Sequence, residues 1–189
     1  MIDLSDVTAC LISKDPVYPL EVLAHVSSFP FGEILVLTYS DSPHRKHELF
    51  AKAKFDTIYY NDDDAICPIR ELLEVSDTNE ITLAQKPSHQ EAYKDLPYAV
   101  GFGWGCFFPK HILGSLKRYT DVYGEDEVYK RETERILMCF NPHKRLVLPI
   151  TDLPSAYAPD RLWRQPQHQN FAQIAGQRCQ EIIRNQTQV

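Results

Sequence analysis

At 189 residues, with 43% hydrophobic and 24% charged side chains, the chain has the size and balance of one soluble globular domain with a proper core. No apolar run approaches the roughly 18 to 20 residues that span a bilayer, so no membrane association is expected. A net charge of −6 also sets it apart from dedicated nucleic-acid binders, which are strongly basic.

The charge is unevenly spread. Residues 1–100 carry 8 Lys and Arg against 17 Asp and Glu, and residues 101–189 carry 12 against 9, which suggests two halves with different tasks. Five cysteines (Cys10, Cys67, Cys106, Cys139, Cys179) are scattered, odd in number and never in a CxxC pair. Together with an N-terminus that lacks the basic and apolar regions of a signal peptide, this points to reduced thiols in a cytoplasm.

In chain order, Val7 to Ser13 reads as a buried strand, broken by Lys14-Asp-Pro-Val-Tyr-Pro19. A helical stripe follows from Leu20 to Phe29, then a second buried strand from Glu33 to Tyr39. Ser40-Asp41-Ser-Pro43 leads to a helix over His44 to Lys54. Thr57-Ile-Tyr-Tyr60 is four β-branched or aromatic residues in a row, a third strand. It runs straight into Asn61 and three consecutive aspartates, Asp62, Asp63 and Asp64. Pro68 then starts a helix to Val75, and Ile81 to Ala84 is a fourth strand. Strands alternating with helices of about ten residues indicate an α/β fold with a mainly parallel sheet in a single domain. In such sheets ligands bind beyond the carboxyl ends of the strands, where Ser13-Lys14, Ser40-Asp41 and Asp62 to Asp64 all fall.

Three adjacent carboxylates repel one another unless a cation sits among them. Asp62 and Asp64 could meet a hard divalent ion and its phosphate oxygens; an acidic turn, which Asn and Asp favour in any case, gives the same residues.

The second half alternates glycine with aromatics over Val100 to Phe108, and glycines at that density let a backbone approach a ligand closely or mark a bulge. A short helix is expected over His111 to Arg118. Another begins at the acidic Glu125-Asp-Glu127, with Tyr129, Thr133, Ile136 and Phe140 as its buried stripe. Glu132 and Arg135 are spaced for a helix-surface pair. Leu146 to Ile150 reads as a late strand, Arg161 to His168 as a polar loop, and Phe171 to Ile183 as a closing helix, after which the last six residues, Arg184 to Val189, are expected to fray.

Three features in this order, Asp62-Asp-Asp64, Glu125-Asp126 and His168, make the chain resemble a small nucleotide-sugar glycosyltransferase of the GT-A class. Gly103-Trp104-Gly105 and Asp126-x-x-Tyr-x-Arg-Glu-x-x-Arg135 are similar to segments of small phage glycosyltransferases and of enzymes that glucosylate hydroxymethyl-pyrimidines in DNA. The resemblance implies a GT-A-like domain over 1–189, with residues 1–100 binding the nucleotide sugar and 101–183 supplying acceptor and catalytic groups. It implies a divalent ion, Mn²⁺ or Mg²⁺, on Asp62 and Asp64 with His168 as a further ligand, and UDP-glucose as donor. Ser13, Lys14, Asp41, Asp62, Asp63, Gly103, Trp104 and Gly105 would contact that donor. Asp126, with Glu125 second, would take the proton from an acceptor hydroxyl. The acceptor implied is a hydroxymethylated base in DNA, reached through Arg161, Arg164, Lys110, Lys117 and Arg118, in a host cytoplasm if the protein is viral. Competing readings are a transferase acting on a small molecule or protein, a nucleotidyltransferase, and a non-catalytic binding module on a degenerate transferase fold.

Overall fold

A computed structural model describes residues 2–13, 20–38, 46–89, 102–157 and 166–186. Lys14, Asp41, Arg161 and Arg164 lie outside the described residues. The strands are β1 (Val7–Ser13), β2 (Glu33–Thr38), β3 (Thr57–Asp62), β4 (Ala65–Ile66), β5 (Ile81–Gln85), β6 (Cys106–Pro109), β7 (His143–Val147) and β8 (Thr151–Asp152). The helices are α1 (Leu20–Ser27), α2 (Lys46–Lys52), α3 (Ile69–Val75), α4 (Leu116–Tyr123), α5 (Glu127–Phe140) and α6 (Pro166–Gln186).

Six strands form one sheet in the order β2-β1-β3-β6-β5-β7. β1 runs parallel to β2 and β3, β5 runs parallel to β7, and β6 is antiparallel to both of its neighbours. The fold is thus α/β with a mainly parallel mixed sheet flanked by helices. Every residue of β1, β5 and β6 is buried, as expected for strands covered on both faces. Alternate residues face opposite ways. Cys10, Ile12, Ile58 and Tyr60 join the core under α2, α4, α5 and α6, whereas Ala9, Leu11 and Tyr59 join the core under α1 and α3.

The antiparallel β6 brings the segment before it to the sheet edge where β3 and β5 end. That segment is a 3₁₀ turn over Phe102–Trp104, followed by Gly105 at φ 116°. A Cβ on Gly105 would stand 2.4 Å from Cys67 Sγ, so both backbone and space demand glycine here.

Several boundaries differ from the sequence reading. The late strand is His143–Val147, because an edge strand needs only partial burial and tolerates His143-Lys-Arg145. The expected helix over His111 to Arg118 is a 3₁₀ segment, Lys110–Ser115, followed by α4. The small antiparallel pair β4 and β8 is too short to leave a pattern. His168 lies in the first turn of α6, not in a loop, since Pro166 opens that helix. Helix α6 also continues through Arg184 to Gln186, where fraying was expected.

Gly105→Ala should destabilise the protein by roughly 2–4 kcal/mol, the combined cost of a left-handed alanine and an overpacked core. Urea unfolding of the variant measures this, and a loss below about 0.5 kcal/mol would show that the Cys67 contact yields freely.

Candidate functional site

The site grows from the end of β3. Asn61 is buried, and its amide donates to the Asp62 and Ala65 carbonyls while its Oδ1 accepts from the Tyr59 hydroxyl at 2.9 Å. That network folds the aspartates into a tight turn. The turn then separates them. Asp63 points inward, 2% exposed, and accepts from Ser13 Oγ at 2.7 Å. Asp62 and Asp64 instead line a cavity of about 440 Å³, a volume typical of small-molecule sites. Ser13 and Asp63, both expected to contact the donor, tie β1 to the aspartate turn.

Asp62 is tightly held. The Tyr60 hydroxyl donates to its Oδ1, and the Lys46 ammonium lies 3.3 Å away. Lys46 also pairs with Glu134 at 2.5 Å and sits 5.2 Å from the centre of the Tyr60 ring. Burial raises the Glu134 carboxyl above its ordinary value, and Lys46 opposes that rise. A Cβ on Gly103 would fall 1.9 Å from Asp62 Oδ2, so Gly103 is needed to let Asp62 occupy this place. Gly105 serves the fold through Cys67, while Trp104 lines the cavity. Lys86 Nζ lies 4.4 Å from the Trp104 ring centre, and His89 meets that ring edge-on at 4.8 Å. Lys86 is ion-paired with Asp152, which also accepts from Tyr157 at 3.1 Å. The β4–β8 pairing brings Asp152 opposite Ala65 and so beside the turn.

Helix α5 forms the facing wall from Lys130 to Arg135, but not through the residues at its start. Asp126 is the N-cap: its Oδ1 accepts from Tyr129 N at 2.9 Å, and its Oδ2 pairs with Arg178 at 2.5 Å. Arg178 also donates to the Tyr119 hydroxyl at 2.7 Å. Partial burial pushes the Asp126 carboxyl up, but the Tyr129 N–H and the Arg178 guanidinium outweigh it and leave it below the usual aspartate value. Glu125 is exposed. Neither residue lines the cavity, so the acids expected to act as base belong to a cap and a surface.

The acids of α5 that do line the cavity are Glu132 and Glu134. Glu132 has non-helical dihedrals (φ −121°, ψ 24°), and the next residue, Thr133, returns its hydroxyl to the Tyr129 carbonyl at 2.7 Å. Such back-bonding bends helices, and the kink presents Glu132 inward at 4% exposure. Its Oε2 accepts from Arg135 Nε at 2.9 Å, so the expected surface pair is a buried one. Its Oε1 has no hydrogen-bond partner, and His168 Nδ1 stands 3.4 Å from it without bonding geometry. Burial raises the Glu132 carboxyl, with Arg135, Lys46 and Arg131 drawing it back. Burial, aided by Arg135 and Arg131, lowers the His168 ring below its ordinary value, while Glu134 pulls the other way. His168 thus faces Glu132 as a ring whose protonation burial disfavours.

Among the described residues, no group of three or more His, Cys, Asp or Glu side chains is placed to hold a metal ion. Sequence reasoning missed many residues of the site, among them Lys46, Lys86, Glu132, Glu134 and Asp152. Two of them left signals. Lys86 follows directly on the end of β5, and Glu132, three residues after Tyr129 and four before Ile136, falls on the buried stripe of its helix.

Asp126→Ala should lower stability at pH 7 by about 1–2 kcal/mol, the value of a lost N-cap. Because the folded carboxyl titrates below its free value, its contribution is present above that value, 3.8, and is lost as pH falls through the lower folded one. The gap between wild type and variant in thermal melts should therefore close on acidification below about pH 3.8. A gap that widens there would refute the capping role.

No protein-family model matches this chain, and no curated protein matches it either.

Proposed function

We propose that the protein is a glycosyltransferase of GT-A type that uses a nucleotide-sugar donor, UDP-glucose in the first instance, and transfers the sugar to an acceptor hydroxyl. The observation that carries this reading is the pair Asp62 and Asp64 at the carboxyl end of β3, opening into a cavity that also holds Lys46, Lys86, Lys130, Arg131 and Arg135. Two carboxylates at the end of β3, interleaved with cations, suit a diphosphate that enters with a divalent ion. The cavity's position beyond the ends of β3 and β5 agrees with the rule for ligands in open α/β sheets.

A divalent ion fits these residues in one particular way. Mg²⁺ and Mn²⁺ take oxygen ligands, often one or two carboxylates completed by substrate phosphates and water. Asp62 and Asp64 are such a pair, and with no third protein ligand among the described residues the ion would be held jointly with the diphosphate. His168, facing Glu132, is outside that pair. When bound, the ion would act as a Lewis acid on the departing diphosphate. The chain's own part is to fix Asp62 through Tyr60, Lys46 and Gly103, and to offset phosphate charge with its lysines and arginines. Trp104 offers a ring wall, its orientation held by Lys86 and His89.

The DNA acceptor draws no support from the described basic residues. Lys110 donates to the Ala53 carbonyl, Lys117 pairs with Asp121, and Arg118 lies over Phe140. The acceptor is best sought by assay, with labelled sugar offered to hydroxymethyl-pyrimidine DNA, unmodified DNA and small hydroxylated compounds.

Calorimetric titration with UDP-glucose in Mn²⁺ should show saturable binding that EDTA weakens. Asp62→Asn and Asp64→Asn should each weaken it about tenfold or more, as expected for losing a charged ligand. Asp63→Asn should instead lower the melting temperature and leave donor affinity near wild type. Failure to bind or hydrolyse UDP-glucose, UDP-galactose or GDP-mannose would end the transferase reading; binding indifferent to EDTA would end its metal-dependent form.

Asp126→Asn should keep turnover within about threefold of wild type, since the cap oxygen survives and the residue stands outside the cavity. A loss of roughly 10²-fold or more, with melting unchanged, would return the base role to Asp126.

A further inference from the structure

The geometry points to Glu132 as the catalytic base of this site: its free Oε1 receives the proton of the attacking hydroxyl. This rests on the transferase reading and names the group that completes it. A carboxylate oxygen buried without a hydrogen bond is costly, and in Glu132 that oxygen belongs to a side chain only 4% exposed that lines the ligand cavity. The other oxygen is fixed by Arg135 at 2.9 Å, so the free one has a set direction. His168 Nδ1, 3.4 Å away, limits the space on that side without satisfying the oxygen. A hydroxyl donor is the group that does satisfy it.

The helix is shaped around this residue. The backbone departs from helical geometry at Glu132 itself, and the Thr133 hydroxyl supports the bend from the next position. The other inward acid of α5 is already engaged, because Glu134 is paired with Lys46. Desolvation of Glu132 raises its proton affinity, which favours proton uptake.

The step balances as follows. The acceptor O–H bond breaks and its proton passes to Glu132 Oε1. The oxygen's electron pair forms the bond to the sugar's anomeric carbon, and the bond from that carbon to the diphosphate oxygen breaks with its pair leaving on the nucleoside diphosphate. Glu132 returns to its starting state by releasing the proton to water. With water as acceptor, the same step is donor hydrolysis.

The experiment measures release of nucleoside diphosphate from UDP-glucose, UDP-galactose and GDP-mannose in Mn²⁺, by wild type, Glu132→Gln, Glu132→Asp and Asp62→Asn. Melting curves and donor titration run alongside. Glu132→Gln should fold and bind donor as wild type does but lose about 10²-fold or more in hydrolysis, with Glu132→Asp intermediate. Azide attacks without a proton to lose, so it should restore donor consumption in Glu132→Gln, yielding a glycosyl azide, and should not rescue Asp62→Asn. Normal hydrolysis by Glu132→Gln, or a loss that azide does not restore while donor binding persists, overturns the assignment and leaves the transferase reading intact. If Glu132→Gln fails to fold, Glu132→Asp decides: unchanged hydrolysis, or a loss that azide does not restore, overturns it. No hydrolysis of any donor by the wild type overturns both.

Discussion

The site depends on one close approach, that of the Asp62 carboxylate to the backbone of Gly103. Any side chain at 103 would occupy the place of Oδ2, so the turn before β6 and the end of β3 fit together only with glycine there. Lys46 completes the arrangement by lying between Asp62 and Glu134, which joins α2, β3 and α5 through one ammonium. A partly buried cluster of this kind adds little net stability, because desolvating its charges offsets their attraction, but removing one partner leaves the others uncompensated. Lys46 thus matters less as a stabiliser than as the group that lets two carboxylates share a wall.

Charge balance in the cavity bears on how a ligand could enter. Five cationic side chains (Lys46, Lys86, Lys130, Arg131, Arg135) face five carboxylates (Asp62, Asp64, Glu132, Glu134, Asp152). A diphosphate diester carrying two negative charges gains little from a neutral enclosure by itself. Entering with a divalent cation, it leaves the sum unchanged and places each charge beside its opposite. The same balance explains how so many ionised groups coexist within about 440 Å³, since Lys46 and Lys86 neutralise acids that would otherwise repel.

The sequence made the parallel half of the sheet legible, because β1, β3 and β5 are continuous apolar or aromatic runs ended by polar residues. It placed β7 three residues late, because a half-exposed edge strand carries little apolar pattern, and it hid β8 and the kink in α5, since a two-residue bridge and a single non-helical residue leave no periodic trace. The aspartates were visible as a group, but the turn after β3 divides their work: Asp63 goes to Ser13, and Asp62 and Asp64 face the cavity. Lys46 and Glu134 meet across 88 positions of chain, and only tertiary structure reveals such a pair. Glu132 was open to view as a charge on a buried stripe, a pattern that local pairing with Arg135 explained too readily.

Asp126 and Glu132 sit on one helix in opposite surroundings, one at its capped start and one in the cavity wall. Asp126 is fixed by the Tyr129 amide and by Arg178, and Arg178 reaches from α6 to Tyr119 on α4. The start of α5 is thereby anchored to both neighbouring helices, away from the cavity. Six residues later the helix bends, and that bend can aim Glu132 reproducibly only if the turn before it does not shift. The acid at the helix start therefore has a positional effect on the site without touching a ligand. Its low proton affinity suits an ion pair, and the raised affinity of Glu132 suits proton exchange. Two carboxylates on one helix are driven apart in this way by solvation and partners alone, the first lowered by its cap and ion pair and the second raised by burial.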